Sequence, residues 1–484
     1  MEGDTNENLL DTHSNKENTL KNKIWTESKK MWLVAGPSIL IRFSTFGISV
    51  ISQAFVGHIG PTELAAYALV FTVILRFANS ILLGMNSGLG TLCGQAYGAK
   101  QYHMLGIYLQ QSWIVLTAAT FLLSPLFIFT VPILRALGQD EHIAEVAGNV
   151  ALWFIPVIFS YIASFSCQMY LQAQSKNYVI SYLAVYSLFQ HVVLSWVLTV
   201  RYEFGVPGAM VSTILAYWIP NFGQLAYVMF GGCRETWRGF TSLAFKDLGP
   251  MIKLSLSSGA MICLELWYNT ILVLLTGNMK NAEVTIDALS ICLNISGWAV
   301  MISIGFMNAA SVRVSNELGR KDPKAAKFSI LMVVFTSFAI AFFLFVFFLL
   351  FRERLAYFFT KSNDVAEAVA HLSPLLAFSI LLNGVQPVLS GVAVGAGLQG
   401  TVAIINLCCY YLIGIPVGAL LGYVAHLEVE GIWIGMNIGI FAQSLALSYM
   451  AWKTNWDEQV KIAAERLQRW YLRSSEENGS NGHA

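Results

Sequence analysis

Charged residues are scarce in this sequence. Only 12% of its 484 residues are Asp, Glu, Lys or Arg, and 56% are hydrophobic, whereas soluble domains carry about 25% charged residues. The net charge is +1, which gives no reason to expect a nucleic acid as a partner. The composition therefore argues against a soluble domain and predicts a protein with many segments in a lipid bilayer.

The sequence also lacks the motifs of common catalytic and metal sites. Its seven cysteines lie mostly within apolar runs and show neither metal-ligand nor disulfide spacing. It contains no nucleophile–base motif and no nucleotide-binding loop, and its polar start has no apolar run typical of a secretory signal. We therefore expect no enzymatic activity, no catalytic residue, no metal and no cofactor, and an energy source other than ATP.

Apolar runs long enough to cross a bilayer recur along the chain. About 20 predominantly apolar residues suffice for one crossing. The pattern predicts an all-α polytopic membrane protein with twelve transmembrane helices in two sets of six. An even number of spans puts both termini on one side, and the excess of Lys and Arg in the tails and loops there indicates the cytosol. The predicted spans are 31–56, 65–90, 107–131, 146–170, 178–200, 206–230, 253–276, 286–310, 328–351, 365–394, 401–424 and 431–452.

Polar segments flank and separate the two sets. Residues 1–30 are predicted to be a disordered cytosolic tail, and residues 31–232 the first lobe. Residues 233–249 place apolar side chains on one helical face and also carry charged ones, which predicts an amphipathic helix lying at the cytosolic membrane surface and joining the two lobes. Residues 250–452 form the predicted second lobe. A cytosolic tail, 453–484, is expected to be helical before a disordered end.

The two halves resemble each other at corresponding positions. Gly98 corresponds to Gly319 at a spacing of 221 residues, and Gly208 corresponds to Gly431 at a spacing of 223 residues. Because each half has six predicted spans, both halves run in the same sense. The repeat therefore predicts two lobes related by an axis along the membrane normal, a plan known among transporters.

One carboxylate, Glu265, lies near the middle of the seventh predicted span. A charged side chain at the bilayer centre costs about 2.5–3.5 kcal/mol on insertion scales, and such residues usually bind an ion, a proton or a counter-charge. A sodium site needs several hard oxygen ligands, so a single carboxylate favours a proton over Na⁺. The alternative is a structural Glu265 that caps a neighbouring backbone group or stays protonated.

Polar side chains in the same half can support Glu265 by hydrogen bonds. Asn269 follows it by one helical turn, and three further amides lie in the eighth and tenth spans: Asn294, Asn383 and Gln386. Amides in membrane helices also join helices at about 0.6 kcal/mol each, which is the alternative role. Pro387 removes a backbone hydrogen bond beside Gln386 and is predicted to act as a hinge.

Two arginines and three aromatic residues are candidates for a solute cavity. Arg42 and Arg76 lie about ten residues inside spans of the first lobe and can attract an anionic group of a solute; the alternative is snorkelling or a static pair with a backbone carbonyl. Planar solutes can stack on deep aromatic side chains, which otherwise serve packing, here Trp267, Tyr268 and Trp298. His191, a mid-span histidine, is expected to be a packed neutral ring.

Five stretches carry a specific resemblance that covers nearly the whole chain outside the tails. FVGHIGPTELAA, LCGQAYGAKQY, CLELWYN, AASVRVSNELG and QPVLSGVAVGAG are similar to segments of the MATE (multidrug and toxic compound extrusion) family, in its plant DETOXIFICATION branch. The resemblance implies a V-shaped transporter of two six-helix lobes that exports organic solutes by alternating access. It implies Glu265 as the proton-binding residue. Some relatives have an acid at the position matching Asn383, so the amide here implies one titrating group, Glu265, with Asn383 as its expected hydrogen-bond partner.

The resemblance also implies a substrate class and a location. It suggests exchange of protons for small organic solutes such as flavonoid glycosides, alkaloids and xenobiotics, and a place in the vacuolar membrane, with the plasma membrane as the alternative. We expect a monomer. Two other functions on the same scaffold stay open: a flippase of lipid-linked precursors, which could ignore a pH gradient, and an anion channel at Arg42, which would pass current without exchange.

Overall fold

The computed structural model describes residues 3–277, 282–359 and 361–480, and this part of the chain is helical with no strand. Helices cover all twelve predicted spans, which confirms the all-α fold. Positions 1–2 and 481–484 of the predicted tails lie outside the described residues. The long helices are Gly3–Ile59, Pro61–Gly98, Tyr102–Ile128, Glu141–Ala173, Tyr178–Arg201, Gly205–Tyr227, Gly249–Gly277, Ala282–Gly319, Pro323–Phe359, Asn363–Ala396, Gln399–Val424, Glu428–Lys453 and Trp456–Ser480.

Ten of these helices are long and apolar enough to cross a membrane by length and composition, counted over the described residues. The sixth helix, Gly205–Tyr227, and the seventh, Gly249–Gly277, are not among the ten. The prediction of a multi-pass membrane protein is thus confirmed. The count of twelve spanning helices stays a prediction.

The predicted repeat is present in the backbone as well as in the sequence. Residues with positive φ occur at corresponding places in the two halves, where they reverse the chain between helices. The pairs are Lys100 (59°) with Lys321 (63°), Ser175 (56°) with Gly397 (80°), Glu203 (51°) with His426 (56°), and Gly205 (59°) with Glu428 (47°). Because left-handed backbone is uncommon for residues other than glycine, this agreement supports two halves with one folding plan.

The two lobes meet along the second, seventh and eighth helices. A Cβ added to Gly98 would lie 2.0 Å from the carbonyl oxygen of Asn316, and one added to Gly319 would lie 2.1 Å from that of Gln95. Gln95 and Asn316 occupy corresponding positions in the repeat, so the crossing is symmetric. Glycine is needed here because small residues let membrane helices approach closely.

The segment that joins the lobes differs from the prediction. Residues 233–249 were expected to form an amphipathic helix, but the described chain there has only one short 3₁₀ turn, Ser242–Phe245. Gly239 has a φ of 92°, which a continuous helix does not allow. Trp237 packs instead on Trp113 of the first lobe, with ring centroids 5.9 Å apart. Packing on the lobe replaces the regular helix.

The two tails are also more helical than the sequence predicts. The first helix begins at Gly3, within the tail that was expected to be disordered, and the last helix runs to Ser480. Buried Trp456 and Leu467 join apolar clusters of the bundle. An apolar face that finds a partner in the bundle stabilises a helix that propensity alone would leave marginal.

Candidate functional site

Glu265 projects from the seventh helix towards the tenth and eleventh helices. The side chain of Gln386, from the tenth helix, interacts with its carboxyl group. Tyr410, from the eleventh helix, interacts electrostatically with this carboxyl group. None of the ion pairs in the described part of the chain includes Glu265. The structure therefore surrounds a mid-helix carboxyl group with neutral polar partners.

A hydrogen-bonded chain fixes one side of this site. The Tyr410 hydroxyl donates to Gln443, whose amide donates to Oδ1 of Asn406 at 2.6 Å. The Asn406 amide in turn donates to the backbone carbonyl of Met261 at 3.1 Å, one turn before Glu265. The three side chains are buried. The eleventh and twelfth helices are thereby tied to the seventh beside the carboxyl group.

The other predicted amides have different surroundings. The Asn269 amide donates to the backbone carbonyl of Glu265 at 3.1 Å, since the side chain of residue i+4 can bond back to its own helix. Asn383 is half-buried, and no described hydrogen bond joins it to Glu265; Asn294 lies on an exposed face of the eighth helix. Among the predicted partners, Gln386 is the one whose side-chain bond to the carboxyl group the structure describes.

Pro387 lies one residue after Gln386, inside a helix that continues unbroken from Asn363 to Ala396. Its ring cannot donate a backbone hydrogen bond and crowds the preceding turn. Ser337 of the ninth helix donates to the carbonyl of Gly384 in that turn. A neighbouring helix therefore bonds the backbone next to the Asn383 carbonyl, which Pro387 leaves without its helical donor.

The three predicted aromatic residues have different surroundings. Tyr268 is buried, and its ring stacks on Tyr410 at 4.2 Å with 7° between the planes, so it serves packing rather than an open cavity. Trp267 is 38% exposed and stacks on Phe77 of the second helix at 5.4 Å. Trp298 is 39% exposed. Trp267 thus joins the two lobes two residues from Glu265.

The first lobe encloses a second candidate site. A cavity of about 410 Å³ is lined by residues of the first, second, fourth, fifth and sixth helices, including both Arg42 and Arg76. The structure therefore brings together the two arginines that the sequence singled out. Aromatic side chains form much of the remaining wall, among them Phe71, Tyr161 and Tyr217.

His191 is a packed side chain with both ring nitrogens engaged. Ser52 Oγ lies 2.9 Å from its Nε2, and Ser212 Oγ lies 2.9 Å from its Nδ1. The ring is fully buried. These bonds connect the first, fifth and sixth helices, which agrees with the structural role expected for it.

Sequence reasoning missed Tyr410, Gln443 and Asn406. Each is a polar residue within a largely apolar span, and nothing in a linear pattern distinguishes one that faces Glu265 from one that faces another helix. The buried side chains of Gln168 and Gln224 on the first-lobe cavity were missed for the same reason. Their positions depend on helix packing, which only the structure gives.

Comparison with known proteins identifies the group to which this architecture corresponds. A family model described as MatE matches residues 37–197 and 258–420, one stretch in each predicted lobe. Protein DETOXIFICATION 21 of Arabidopsis thaliana is 63% identical over 449 residues, covering 93% of this chain and 91% of the relative. Protein DETOXIFICATION 23 of the same plant is 60% identical over 444 residues, covering 92% and 90%.

A solved structure matches over a similar share of the chain. The crystal structure of the eukaryotic MATE transporter AtDTX14 superimposes with a TM-score of 0.86 at 32% sequence identity. The match covers 92% of this chain and 99% of the solved one. The similarity therefore includes both lobes and the segment between them.

Proposed function

Because the chain belongs to the MATE family of membrane transporters, we propose that it is a secondary antiporter that exchanges small organic solutes for protons. The observation that carries this proposal is the placement of Glu265 at the middle of the seventh helix, with the neutral partners Gln386 and Tyr410. A carboxyl group that is not held in an ion pair can gain or lose a proton without breaking one. H⁺ is accordingly the proposed coupling ion, with no Na⁺ requirement.

The energy of such an exchange is sufficient for useful accumulation. A pH difference of about two units is worth about 2.7 kcal/mol per proton, since one unit corresponds to 1.36 kcal/mol. For a one-to-one exchange of a proton with a neutral solute, this energy supports an accumulation of about 100-fold. An acidic compartment such as a vacuole provides such a difference.

The contacts between the lobes support alternating access. At the end near Gly98 and Gly319, Thr91 of the second helix donates to the carbonyl of Val394 at 2.6 Å, and Gln399 donates to Thr91 at 2.8 Å. These direct bonds keep the two lobes together at one end, the end predicted to face the cytosol. Opening towards that side requires them to break, with Pro387 as the proposed hinge.

The proposed solutes are flavonoid glycosides, alkaloids and xenobiotics, and the proposed location is the vacuolar membrane, with the plasma membrane as the alternative. The relatives are named for detoxification, which fits export or sequestration of such compounds. The proposed working unit is a monomer. Both termini are proposed to face the cytosol.

Uptake into vesicles with an acidic lumen tests this function. Vesicles that contain the protein are offered a panel of flavonoid glycosides and alkaloids, with and without a protonophore. Antiport predicts accumulation of at least one solute and its loss when the protonophore removes the pH gradient. Solute movement that ignores the gradient would indicate a flippase, and voltage-dependent current without exchange would indicate a channel; either result would overturn the proposal.

A further inference from the structure

The cavity of the first lobe contains positive charge that proton exchange at Glu265 does not use. Arg42 and Arg76 both line it, and none of the described lining residues is Asp or Glu. Glu265 belongs to the other lobe and does not line it. Two cations in one cavity within a membrane are costly unless an anion accompanies them.

Neither guanidinium group has a partner in the described part of the protein. No described hydrogen bond or ion pair includes Arg42 or Arg76, and Nε of Arg42 is buried without an acceptor. A snorkelling arginine would bring its polar atoms to water, and an arginine held by a backbone carbonyl would have its Nε–H donor satisfied. The Nε–H of Arg42 is neither solvated nor satisfied within the described chain, so an acceptor from outside the chain would complete it. Arg76 is exposed and lines the same cavity.

The remaining walls suit a flat aromatic molecule. Tyr161 meets Tyr217 edge to face at 5.6 Å and stacks on Phe165 at 4.9 Å. Rings arranged in this way offer both faces and edges to a planar solute. Gln168 adds a buried amide nitrogen without a hydrogen-bond partner. The volume of about 410 Å³ lies within the range of small-molecule sites, about 300–1,000 Å³.

We propose that this cavity binds planar aromatic organic anions, with the acidic group at Arg42 and Arg76 and the ring against the aromatic wall. A guanidinium group remains charged in proteins and matches the paired oxygens of a carboxylate, sulfate or phosphate. Such hydrogen bonds are individually strong enough to change an affinity by about tenfold or more. Transport of the bound anion rests on the proposed antiport, whereas binding does not.

Equilibrium dialysis with a matched pair of fluorescent probes tests binding without transport. The purified full-length protein in detergent is dialysed at neutral pH against umbelliferone sulfate or umbelliferone glucoside, which share the fused coumarin rings and carry an anionic or a neutral substituent. We expect the sulfate to bind at least about tenfold more tightly, and this preference to decrease as salt is added. Equal affinity for the two probes would overturn the proposal.

Substitutions locate the site. Arg42→Gln and Arg76→Gln should each lower the affinity for the sulfate about tenfold and leave the glucoside unaffected. Arg42→Lys should keep part of the preference because the charge remains. Arg135→Gln is the matched control, since Arg135 lies in the same lobe but is exposed and paired with Glu141 at 3.0 Å; it should change neither affinity.

Two controls distinguish this proposal from others. Unchanged glucoside binding shows that a variant is folded, and a sulfate preference that survives both Gln variants would contradict a site at these arginines. Glu265→Gln should keep the sulfate preference in full. If that variant loses transport but keeps binding, proton coupling and the anion site are separate. If wild type binds the sulfate but never exchanges protons, only the antiport proposal fails.

Discussion

Arg313 of the eighth helix forms a two-point ion pair with Glu27 of the first helix. Its Nε lies 2.7 Å from Oε1 of Glu27, and its Nη2 lies 2.9 Å from Oε2. The two side chains are only 5% and 9% exposed. Glu317 also bonds Arg313, and Ser329 donates to Glu27 at 2.6 Å. The first helix, just before its predicted span, is thereby fixed to the second lobe.

Removing the arginine should destabilise the protein strongly. Arg313→Met leaves two buried carboxylates, Glu27 and Glu317, without their shared cation, and breaking a buried pair in this way costs about 3–5 kcal/mol. We expect a clear decrease of the melting temperature of the purified protein in detergent. The double variant with Glu27→Leu should recover part of it. Arg320→Gln, at a side chain 45% exposed, is the control and should cost about 1 kcal/mol or less.

The glycine crossing between the lobes should not tolerate a methyl group. Gly98→Ala places a Cβ 2.0 Å from the carbonyl oxygen of Asn316, and overpacking of this kind typically costs about 1–3 kcal/mol. Gly36→Ala is the control, because nothing lies within 4 Å of an added Cβ there and alanine is the better helix former. The melting temperature and solute uptake should decrease for Gly98→Ala alone. Equal behaviour of the two variants would contradict a close crossing.

The hydrogen-bonded chain of Tyr410, Gln443 and Asn406 should support transport by holding the helices beside Glu265 in place, not by carrying protons. Tyr410→Phe keeps the stacking on Tyr268 but leaves the amide oxygen of Gln443 buried without its donor, at a cost of about 1–3 kcal/mol. We expect lower thermal stability and slower uptake, with the dependence on the pH gradient retained. A variant that accumulates solute without a gradient would show instead that Tyr410 takes part in coupling.

The sequence was sufficient for the features that repeat or that stand out chemically. Long apolar runs predicted the helices, and the Gly98 and Gly319 spacing predicted two equivalent halves that the paired positive-φ residues now support. Glu265, Arg42 and Arg76 were identifiable because a charge in an apolar span is rare. All three occur at sites that the structure builds from several helices.

Features that depend on packing between helices could not be predicted. Tyr268 was a candidate either for stacking on a solute or for packing, and it is buried against Tyr410. The sequence could not decide between these roles because the facing helix determines which side of the seventh helix is covered. Residues 233–249 have the composition of an amphipathic helix, yet Trp237 packs on Trp113 of the first lobe, a contact that no local pattern indicates. The buried pair of Glu27 and Arg313 joins residues that are far apart in sequence, so no local pattern indicates it.

The most direct test of the central claim compares wild type with Glu265→Gln in proteoliposomes that report internal pH. Addition of a transported solute should release protons from acidic wild-type vesicles, and Glu265→Gln, which keeps the shape of the side chain, should abolish this release. Glu63→Gln, at the start of the second helix, is the matched control and should behave as wild type. If Glu265→Gln exchanges protons for solute at the wild-type rate and equal protein content, Glu265 is not the coupling residue and the proposed mechanism is wrong.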